Sequence, residues 1–230
     1  MMAAPGLSIV MPVLDEGERI AAAIDSLAPL AARGAELIVV DGGSGDGTAD
    51  RARARGARVL EAPRSRAAQM NAGAAAARGG SLLFLHADTR LPEDADRLVA
   101  QALRTHAWGR FDVRIEGRHP MLRVVAAMMN LRSRLTGIAT GDQAMFATRT
   151  AFEQAGRFPQ QPLMEDIELS ARLRRIGRPA CIGTPVATSG RRWDRDGARR
   201  TIVLMWRLRY AYWRGAPPAE LHRRYYGPTR

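Results

Sequence analysis

The stretch Val39-Val40-Asp41-Gly42-Gly43-Ser44-Gly45-Asp46-Gly47-Thr48 decides the fold class of this 230-residue chain. Its β-branched start predicts a buried strand, Leu37–Val40, that ends at Asp41. The glycines that follow predict a tight turn, and Thr48 stands where it could cap a helix over Ala49–Arg55. The turn lacks the Gly-Lys-Ser/Thr ending of a P-loop, and its aspartates would repel a pyrophosphate. We therefore expect Asp41 to accept hydrogen bonds from a base or a ribose.

On both sides of this turn, apolar strand patterns alternate with helical patterns. Further strands are predicted at Leu7–Val13, Arg58–Ala62 and Leu82–Leu85, and a helix is predicted from Pro92 to about Thr105. Continuous apolar strands between helices are typical of a parallel sheet that is covered on both faces. The expected fold class is therefore α/β, with a mostly parallel sheet and right-handed crossovers.

Acidic residues follow three of these strands, at Asp15-Glu16, Asp41 and Asp88. Ligands of such sheets bind beyond the carboxyl ends of the strands. One carboxylate together with substrate phosphates can hold Mg²⁺ or Mn²⁺, so Asp88 is a candidate metal ligand. His86 would be a second ligand or a group that orients Asp88. The alternative is that residues 87–89 form only a turn.

The second half of the chain has a less regular pattern. Strands are predicted at Phe111–Ile115 and Ala144–Ala147, and helices at Pro120–Leu135 and Glu165–Ile176. The first of these helices is apolar and could line a groove for a lipid-linked acceptor. It also carries three arginines, Arg123, Arg132 and Arg134.

Two short motifs in this half could carry chemistry. Glu165-Asp166 could supply a general base, with Asp142 as a rival, although acids are commonplace in the first turn of a helix. Arg191-Arg192-Trp193 could clamp a diphosphate and stack on a ring, since arginine bonds phosphate in a bidentate way. The alternative is that these residues are only a charged stretch exposed to solvent.

The composition limits the class of protein. Hydrophobic residues make up 46% and charged residues 25%, which excludes a disordered or collagenous chain. The single cysteine, Cys181, excludes an intrachain disulfide and a cysteine-based zinc site. The net charge of +12 arises in the second half: residues 1–110 carry 13 arginines and 13 acids, whereas residues 111–230 carry 22 arginines and 10 acids. Such a basic half favours an anionic partner, whether nucleic acid, phosphate groups or a membrane face.

We expect a cytoplasmic protein, because neither a signal peptide nor a membrane-spanning segment is predicted. Residues 199–214 nevertheless have a basic, aromatic helical pattern. One side of this helix carries Ile202, Val203, Trp206, Tyr210 and Trp213, and another line carries Arg200, Arg207 and Arg214. The pattern fits a peripheral helix on an anionic membrane, at the inner face of the cell membrane. It fits equally well a helix packed on the domain with its arginine heads in water.

Taken in order, these motifs resemble those of glycosyltransferase family 2, which has the GT-A fold of nucleotide-diphospho-sugar transferases. The matching residues are Pro12, Asp15-Glu16, Val39 to Ser44, Asp46 to Thr48, Arg64, Asn71 to Gly73, His86 to Asp88, Gly141-Asp142 and Glu165-Asp166. A closer likeness is to the small bacterial group called radical-SAM/selenodomain-associated transferase 2. That likeness rests on Leu85 to Thr89, Gly141 to Ala144, Arg191 to Trp193 and the tail from Gly215 to Tyr225.

The resemblance implies a role for each matching residue. The nucleotide sugar, of UDP or GDP type, would be held by Pro12, Glu16, Asp41, Gly43, Asp46, Arg64, Asn71, His86, Ala87 and Asp88. Asp88 would bind Mn²⁺ or Mg²⁺, although His86 replaces the first acid of the usual Asp-x-Asp. Asp166 would be the catalytic base with Glu165 beside it, and transfer would invert the anomeric configuration. The acceptor and the diphosphate would meet Gly141, Asp142, Arg191, Arg192 and Trp193.

The same resemblance suggests how the chain is divided. Residues 1–193 would form a catalytic domain, with a donor half over 1–110 and an acceptor half over 111–193. Residues 194–230 would form a basic, amphipathic helical tail. A nucleotidyltransferase is disfavoured because the first loop is acidic. A nucleic-acid-binding module is disfavoured because aromatic residues are only 6% and no recognition motif is found, so we expect no nucleic-acid partner. A non-catalytic family member that binds nucleotide or lipid stays open.

Overall fold

The computed structural model describes residues 6–227, except for the side chains of Arg192, Asp196, Ala198 and Arg199. The strands are β1 Leu7–Val13, β2 Glu36–Asp41, β3 Arg58–Glu61, β4 Ser81–Phe84, β5 Thr89–Arg90, β6 Trp108–Glu116, β7 Phe146–Thr148 and β8 Ala180–Ser189. The helices are α1 Ile20–Ser26, α2 Ala28–Ala32, α3 Thr48–Ala54, α4 Arg66–Ala76, α5 Ala95–Ala102, α6 Met121–Thr136, α7 Arg149–Gln154, α8 Glu165–Ile176, α9 Arg191–Asp196, α10 Ala198–Trp213 and α11 Pro218–Tyr226. A 3₁₀ turn, Gly141–Gln143, precedes β7.

The strands form one mixed sheet in the order β3-β2-β1-β4-β7-β6-β8-β5. The first four strands in this order are parallel, as predicted, and β6 also runs parallel to β8. Antiparallel pairs join β7 to β4 and β6, and β5 to β8. In the register of β1 and β2, Val13 lies opposite Asp41, so the loops that follow these strands meet at one edge. The predicted α/β class is confirmed.

Helices cover both faces of the sheet because the strands are apolar on both sides. Ile9 and Met11 of β1 belong to one core cluster, together with residues of α1, α3 and α5. Val10, between them, belongs to a second cluster with residues of α4 and α8. Gly73 allows α4 to approach the strands closely, since a Cβ there would lie 2.4 Å from Val10 Cγ1.

Some boundaries differ from the sequence-based expectations. Thr48 is the first residue of α3 and not its cap, because Gly47 precedes it in the left-handed region and no side-chain cap bond is formed. The helix expected from Pro92 begins at Ala95 and ends at Ala102. β7 begins two residues late because Ala144 has a φ of 44°.

The C-terminal helices pack on the start of α8. A third apolar cluster joins Leu208 of α10 and Leu221 of α11 to Leu163 and Met164, just before α8. α10 also contacts α6. Across residues 6–227, none of the helices combines the length and the apolar character that crossing a membrane requires.

Candidate active site

The Gly-rich turn after β2 is organised by Asp41. This buried carboxylate accepts hydrogen bonds from the backbone nitrogens of Gly43 (3.1 Å) and Ser44 (2.9 Å) through Oδ2, and from the Ser44 hydroxyl through Oδ1. Gly43 has a φ of 88°, a backbone conformation that would be strained for any residue with a Cβ atom. A carboxylate has about four acceptor sites, so Asp41 keeps one for a ligand after ordering the turn.

Asp46 ties this turn to the loop after β1. Its Oδ2 accepts from the backbone nitrogen of Gly17 (2.7 Å), and its Oδ1 accepts from the backbone nitrogen of Thr48 (3.1 Å) and from the Thr48 hydroxyl. The hydrogen bonds from Thr48 and Gly17 hold the pKa of Asp46 below its usual value. The Thr48 hydroxyl also accepts from the nitrogen of Glu16 (2.9 Å). Gly17 was not predicted as a site residue, yet a Cβ there would lie 2.9 Å from Asp46.

Three charged residues from distant parts of the chain meet beside this loop. Arg191, the first residue of α9, places Nη2 3.0 Å from Oε1 of Glu16 and 3.9 Å from Oδ2 of Asp88. Asp88 is partly exposed, and its backbone carbonyl accepts from the nitrogen of Ser189 in β8 (3.1 Å). Three residues that were each predicted for the site, Glu16, Asp88 and Arg191, therefore lie together. Trp193 is half-buried against the first core cluster, and the side chain of Arg192 lies outside the described part.

His86 turns toward the second half of the chain. Its Nδ1 lies 3.5 Å from Oδ1 of Asp142, and its ring lies directly over Gly141. A Cβ on residue 141 would lie 2.6 Å from the ring, so only glycine permits this approach. Burial opposes the charge of Asp142 while His86 and Arg66 favour it, and the net effect lowers the pKa of Asp142.

The predicted metal ligand is Asp88. Within residues 6–227, no three His, Cys, Asp or Glu side chains converge as a metal cage would require. Asp88 lies at a strand end with a partly exposed carboxylate, and its neighbour Arg191 could turn to a phosphate. This fits a site that is completed by the phosphates of a substrate and not a site made of protein ligands alone.

Glu165 and Asp166 lie at the N-terminus of α8 in different surroundings. Asp166 accepts from the backbone nitrogens of Gly141 (2.8 Å, Oδ2) and Ile167 (2.7 Å, Oδ1). Glu165 is buried, with Oε1 3.7 Å from Nη1 of Arg66. Burial and then the charge of Asp166 raise the pKa of Glu165. Both carboxylates line a small cavity with Arg66 and the ring of His86.

Four further residues were predicted to bind the nucleotide sugar, and they lie outside the charged clusters described above. Both polar groups of the Asn71 side chain bond the backbone of Phe158 (Nδ2 to O 2.8 Å, Oδ1 from N 3.0 Å), which ties α4 to the segment before α8. Arg64 is exposed in the turn before α4. Pro12 pairs with Val40 in the sheet, and Ala87 is half-buried next to Asp88.

Two arginines near Asp166 were not predicted as site residues. Arg132 of α6 and Arg209 of α10 are largely buried, and the negative charge of Asp166 favours the cationic form of both. The sequence shows them only as members of basic helices. Spacing along one helix does not reveal that α6 and α10 are neighbours.

The match to a family model decides the family. The model described as Glycosyl transferase family 2 matches residues 8–154, more than half of the chain. The chain belongs to glycosyl transferase family 2. The matched range of this family 2 domain contains the Asp41 turn, Asp88, His86 and Gly141. No curated protein matches this family 2 chain.

Solved structures share the GT-A fold of nucleotide-sugar transferases with this family 2 chain. A mannosyltransferase from Pyrobaculum calidifontis in complex with GDP-Man and Mn²⁺ is 20% identical, with a TM-score of 0.62, over 81% of this chain and 57% of its own. Glucosyl-3-phosphoglycerate synthase from Mycobacterium tuberculosis with Mg²⁺ and UDP is 25% identical, with a TM-score of 0.58, over 80% and 70%. TarS from S. aureus with UDP-GlcNAc is 16% identical, with a TM-score of 0.63, over 80% and 58%. The chain thus spans little more than half of the mannosyltransferase.

Proposed function

We propose that this chain transfers a sugar from a UDP- or GDP-sugar to an acceptor hydroxyl, with inversion and with Mn²⁺ or Mg²⁺ as cofactor. The observation that carries the proposal is the meeting of Glu16, Asp88 and Arg191 beside the Asp41 turn. Family membership and neighbours that hold GDP-Man, UDP and UDP-GlcNAc support it. We also propose a donor half over residues 1–110 and an acceptor half over 111–193, with Arg191 reaching from the second half to the donor phosphates.

The donor would lie along the carboxyl edge of β1, β2 and β4. The remaining acceptor site of Asp41 would receive a hydrogen bond from the base or ribose, and Glu16 would take a ribose hydroxyl. Asp46 would act through the loop that it orders, since Gly17 and Thr48 already occupy its carboxylate. Asn71 would also act indirectly, through the segment at Phe158.

Asp88 would hold the divalent cation, which supplies Lewis-acid stabilisation of the departing diphosphate. The ion pair of Arg191 with Glu16 lies close enough to Asp88 for its guanidinium to turn to the same phosphates. Arg192 would add a second cation, and Trp193 would support the start of α9. His86 would orient the site through its contact with Asp142. We also keep His86 as a candidate second ligand of the metal ion.

Asp166 would act as the general base. Its two backbone hydrogen bonds fix the carboxylate, and each oxygen keeps an acceptor site for the acceptor hydroxyl. As Asp166 takes the proton, the hydroxyl oxygen forms a bond to the anomeric carbon and the bond to the diphosphate breaks on the opposite face. Glu165 would keep Arg66 in place beside the cavity. No covalent intermediate is needed.

The acceptor would be lipid-linked or close to a membrane, with the chain peripheral at its cytoplasmic face. α6 exposes an apolar strip at Met121, Val124, Met128, Leu131 and Leu135. α10 exposes a second strip at Val203, Trp206, Tyr210 and Trp213. Arg200 and Arg207 are exposed on the same helix, and Arg214 is exposed directly after it. Apolar strips next to cations favour an interfacial position.

The narrower membership in the radical-SAM/selenodomain-associated transferase 2 group is also a proposal. The group's motif Gly141 to Ala144 begins with a 3₁₀ turn that packs against His86. Only glycine fits under the imidazole ring at residue 141. The tail from Gly215 to Tyr225, which also belongs to this likeness, contains most of α11. Residues 194–230 would form a separate helical unit.

A thermal-shift titration tests the donor proposal. UDP and GDP are each added with Mn²⁺, with Mg²⁺ or with EDTA, to wild type, Asp88→Asn and the exposed control Asp94→Asn. Ligand at about 100 times its dissociation constant should stabilise the protein by about 2.7 kcal/mol. We expect one nucleotide to shift the melting temperature only with metal, in wild type and Asp94→Asn but not in Asp88→Asn. No shift with either nucleotide would contradict the proposal and favour a non-catalytic member.

A co-sedimentation experiment tests the membrane proposal. Wild type and a Trp206→Ser/Trp213→Ser variant are mixed with neutral and with anionic vesicles. Wild type should sediment with anionic vesicles and the variant should not. Background recovery of wild type with both kinds of vesicle would remove the membrane proposal.

A further inference from the structure

The face between α6 and α10 holds guanidinium nitrogens that are buried and have no hydrogen-bond partner among the described residues. Within the described residues, Nε and Nη2 of Arg132 and Nε of Arg209 are shielded from water and bond no acceptor. Buried polar groups are nearly always hydrogen-bonded, and a charged donor without an acceptor is especially unfavourable. Such donors therefore need an acceptor that residues 6–227 do not supply.

The unpaired atoms of Arg132 form one complete edge of its guanidinium. Nε and Nη2 donate in parallel, which is the geometry that bonds two oxygens of a phosphate at once. Arg209 adds a third donor from the neighbouring helix. The two cations are close enough that the charge of Arg209, after burial, helps to lower the pKa of Arg132 to about 10. Arg132 is therefore still cationic at neutral pH.

The nearby acids already have partners. Asp112 is shared by Arg110 and by Arg134 (2.5 Å to Nη2). Asp142 faces His86, and the oxygens of Asp166 accept backbone hydrogens from Gly141 and Ile167. Asp166 and Asp142 offset part of the positive charge of these arginines, but their side chains form no hydrogen bond with the unpaired nitrogens of Arg132 and Arg209. An external anion would supply both the charge and the missing acceptor oxygens.

We propose that Arg132 and Arg209 form a subsite for a phosphate group carried by the acceptor. This inference rests on the proposed function, because Asp166 would accept the proton of the acceptor hydroxyl next to this subsite. The charge of Asp166 acts on both arginines, so a bound phosphate would lie close to the base. The donor phosphates belong instead beside Asp88 and Arg191.

The phosphate could be part of a soluble ester or of a lipid. Leu131 and Leu135, on either side of Arg132 in α6, are 50% and 77% exposed. In the lipid case, the acyl chain would lie along this strip, and a small movement of the side chains around Arg132 would admit the phosphate. A soluble phosphate ester would use the same donors without the strip. The chemistry recognised is the same in both cases.

The test compares four proteins: wild type, Arg132→Met, Arg209→Met and Arg175→Met. Arg175 is an exposed arginine nine residues beyond Asp166 on α8, about 13 Å away along the helix, and serves as the control. Glycerol 3-phosphate binding is measured by calorimetry with UDP or GDP and Mn²⁺ present, so that the donor site is filled. In parallel, co-sedimentation is measured with phosphatidylcholine vesicles, with and without phosphatidic acid.

We expect wild type and Arg175→Met to bind one of these two phosphates, with at least a 10-fold loss of affinity in Arg132→Met and Arg209→Met. Binding of glycerol 3-phosphate would indicate a soluble acceptor, and binding of phosphatidic acid alone would indicate a lipid. Arg132→Lys should recover part of the affinity, since lysine restores charge without the bidentate edge. Equal binding in all four proteins, or no binding of either phosphate by wild type, would overturn the subsite. Nucleotide binding in the same variants reports separately on the donor proposal.

Discussion

The loops after β1 and β2 and the face between α6 and α10 satisfy their polar groups in different ways. In the loops, the carboxylates of Asp41 and Asp46 accept hydrogen bonds from the turn itself and from Gly17. Between the helices, Arg132 and Arg209 keep buried donors without acceptors in the part of the chain described. The first region is organised before any ligand arrives. In our proposal an anion completes the second region, which would give this region a part in specificity for the acceptor.

The largest expected effect is on transfer, in Asp166→Asn. An amide cannot take the acceptor proton, so the rate of transfer should fall about 10²- to 10⁴-fold, while nucleotide binding stays as in wild type. The measurement is sugar transfer under single-turnover conditions, with Asp94→Asn as the control. Normal turnover in Asp166→Asn would move the role of base to Asp142 or Glu165.

A second prediction breaks the contact between His86 and Gly141. A methyl group at residue 141 would lie 2.6 Å from the imidazole, so Gly141→Ala should destabilise the fold by about 1–3 kcal/mol. Urea denaturation measures this change. Gly177→Ala is the matched control, since no atom lies within 4 Å of a Cβ there. Equal stability of the two variants would show that the close contact of His86 with Gly141 does not contribute to the stability of the fold.

A third prediction sharpens the comparison of the two regions. Arg132→Met should stabilise the ligand-free protein by about 1–2 kcal/mol, because it removes a buried cation whose pKa is lowered to about 10. Gly17→Ala, in the organised loops, should have the opposite sign because its methyl group would press on Asp46. Both changes are measured by urea denaturation without phosphate. Destabilisation by Arg132→Met would make this arginine a structural residue.

The smallest expected effects concern pH and two buried glutamates. Burial raises the pKa of Glu165, so its ionisation disfavours the folded state and this penalty grows as pH rises above about 4.5. Burial also opposes ionisation of Glu36, but hydrogen bonds from Arg78 and Ser8 outweigh it and lower the pKa of Glu36. Glu36 therefore stabilises at neutral pH, and this stability is lost as pH falls.

Denaturation of Glu165→Gln and Glu36→Gln at pH 4 to 7 checks these signs. Relative to wild type, Glu165→Gln should gain stability toward pH 7, whereas Glu36→Gln should lose it. Parallel pH profiles of the two variants would contradict the assigned surroundings of these carboxylates.

Much of the first half could be predicted because its signals are local. Apolar runs define β1, β2 and β4, and the turn after Asp41 is determined by its own glycines. β8 could not be predicted, since Gly183 and Pro185 interrupt its pattern and its partner β6 lies about 70 residues earlier. β5 has only two residues and exists through its pairing with β8.

The site shows the same division between local and distant signals. Asp41, Asp88, Asp166 and Glu16 could be named from motifs, and the structure brings Glu16 and Asp88 to one edge. The contact of Arg191 with Glu16 spans 175 residues, and Arg132 and Arg209 meet only through the packing of α10 on α6. No spacing in the sequence encodes such a meeting.

A crystal structure with Mn²⁺ and the nucleotide that stabilises the protein would test the central claim most directly. The account predicts an anomalous manganese peak at the carboxylate of Asp88, the base or ribose at Asp41, and the guanidinium of Arg191 turned from Glu16 to the diphosphate. The carboxylate of Asp166 should lie on the side of the sugar opposite the diphosphate. Manganese away from Asp88, or a nucleotide bound away from the edge of β1 and β2, would contradict it.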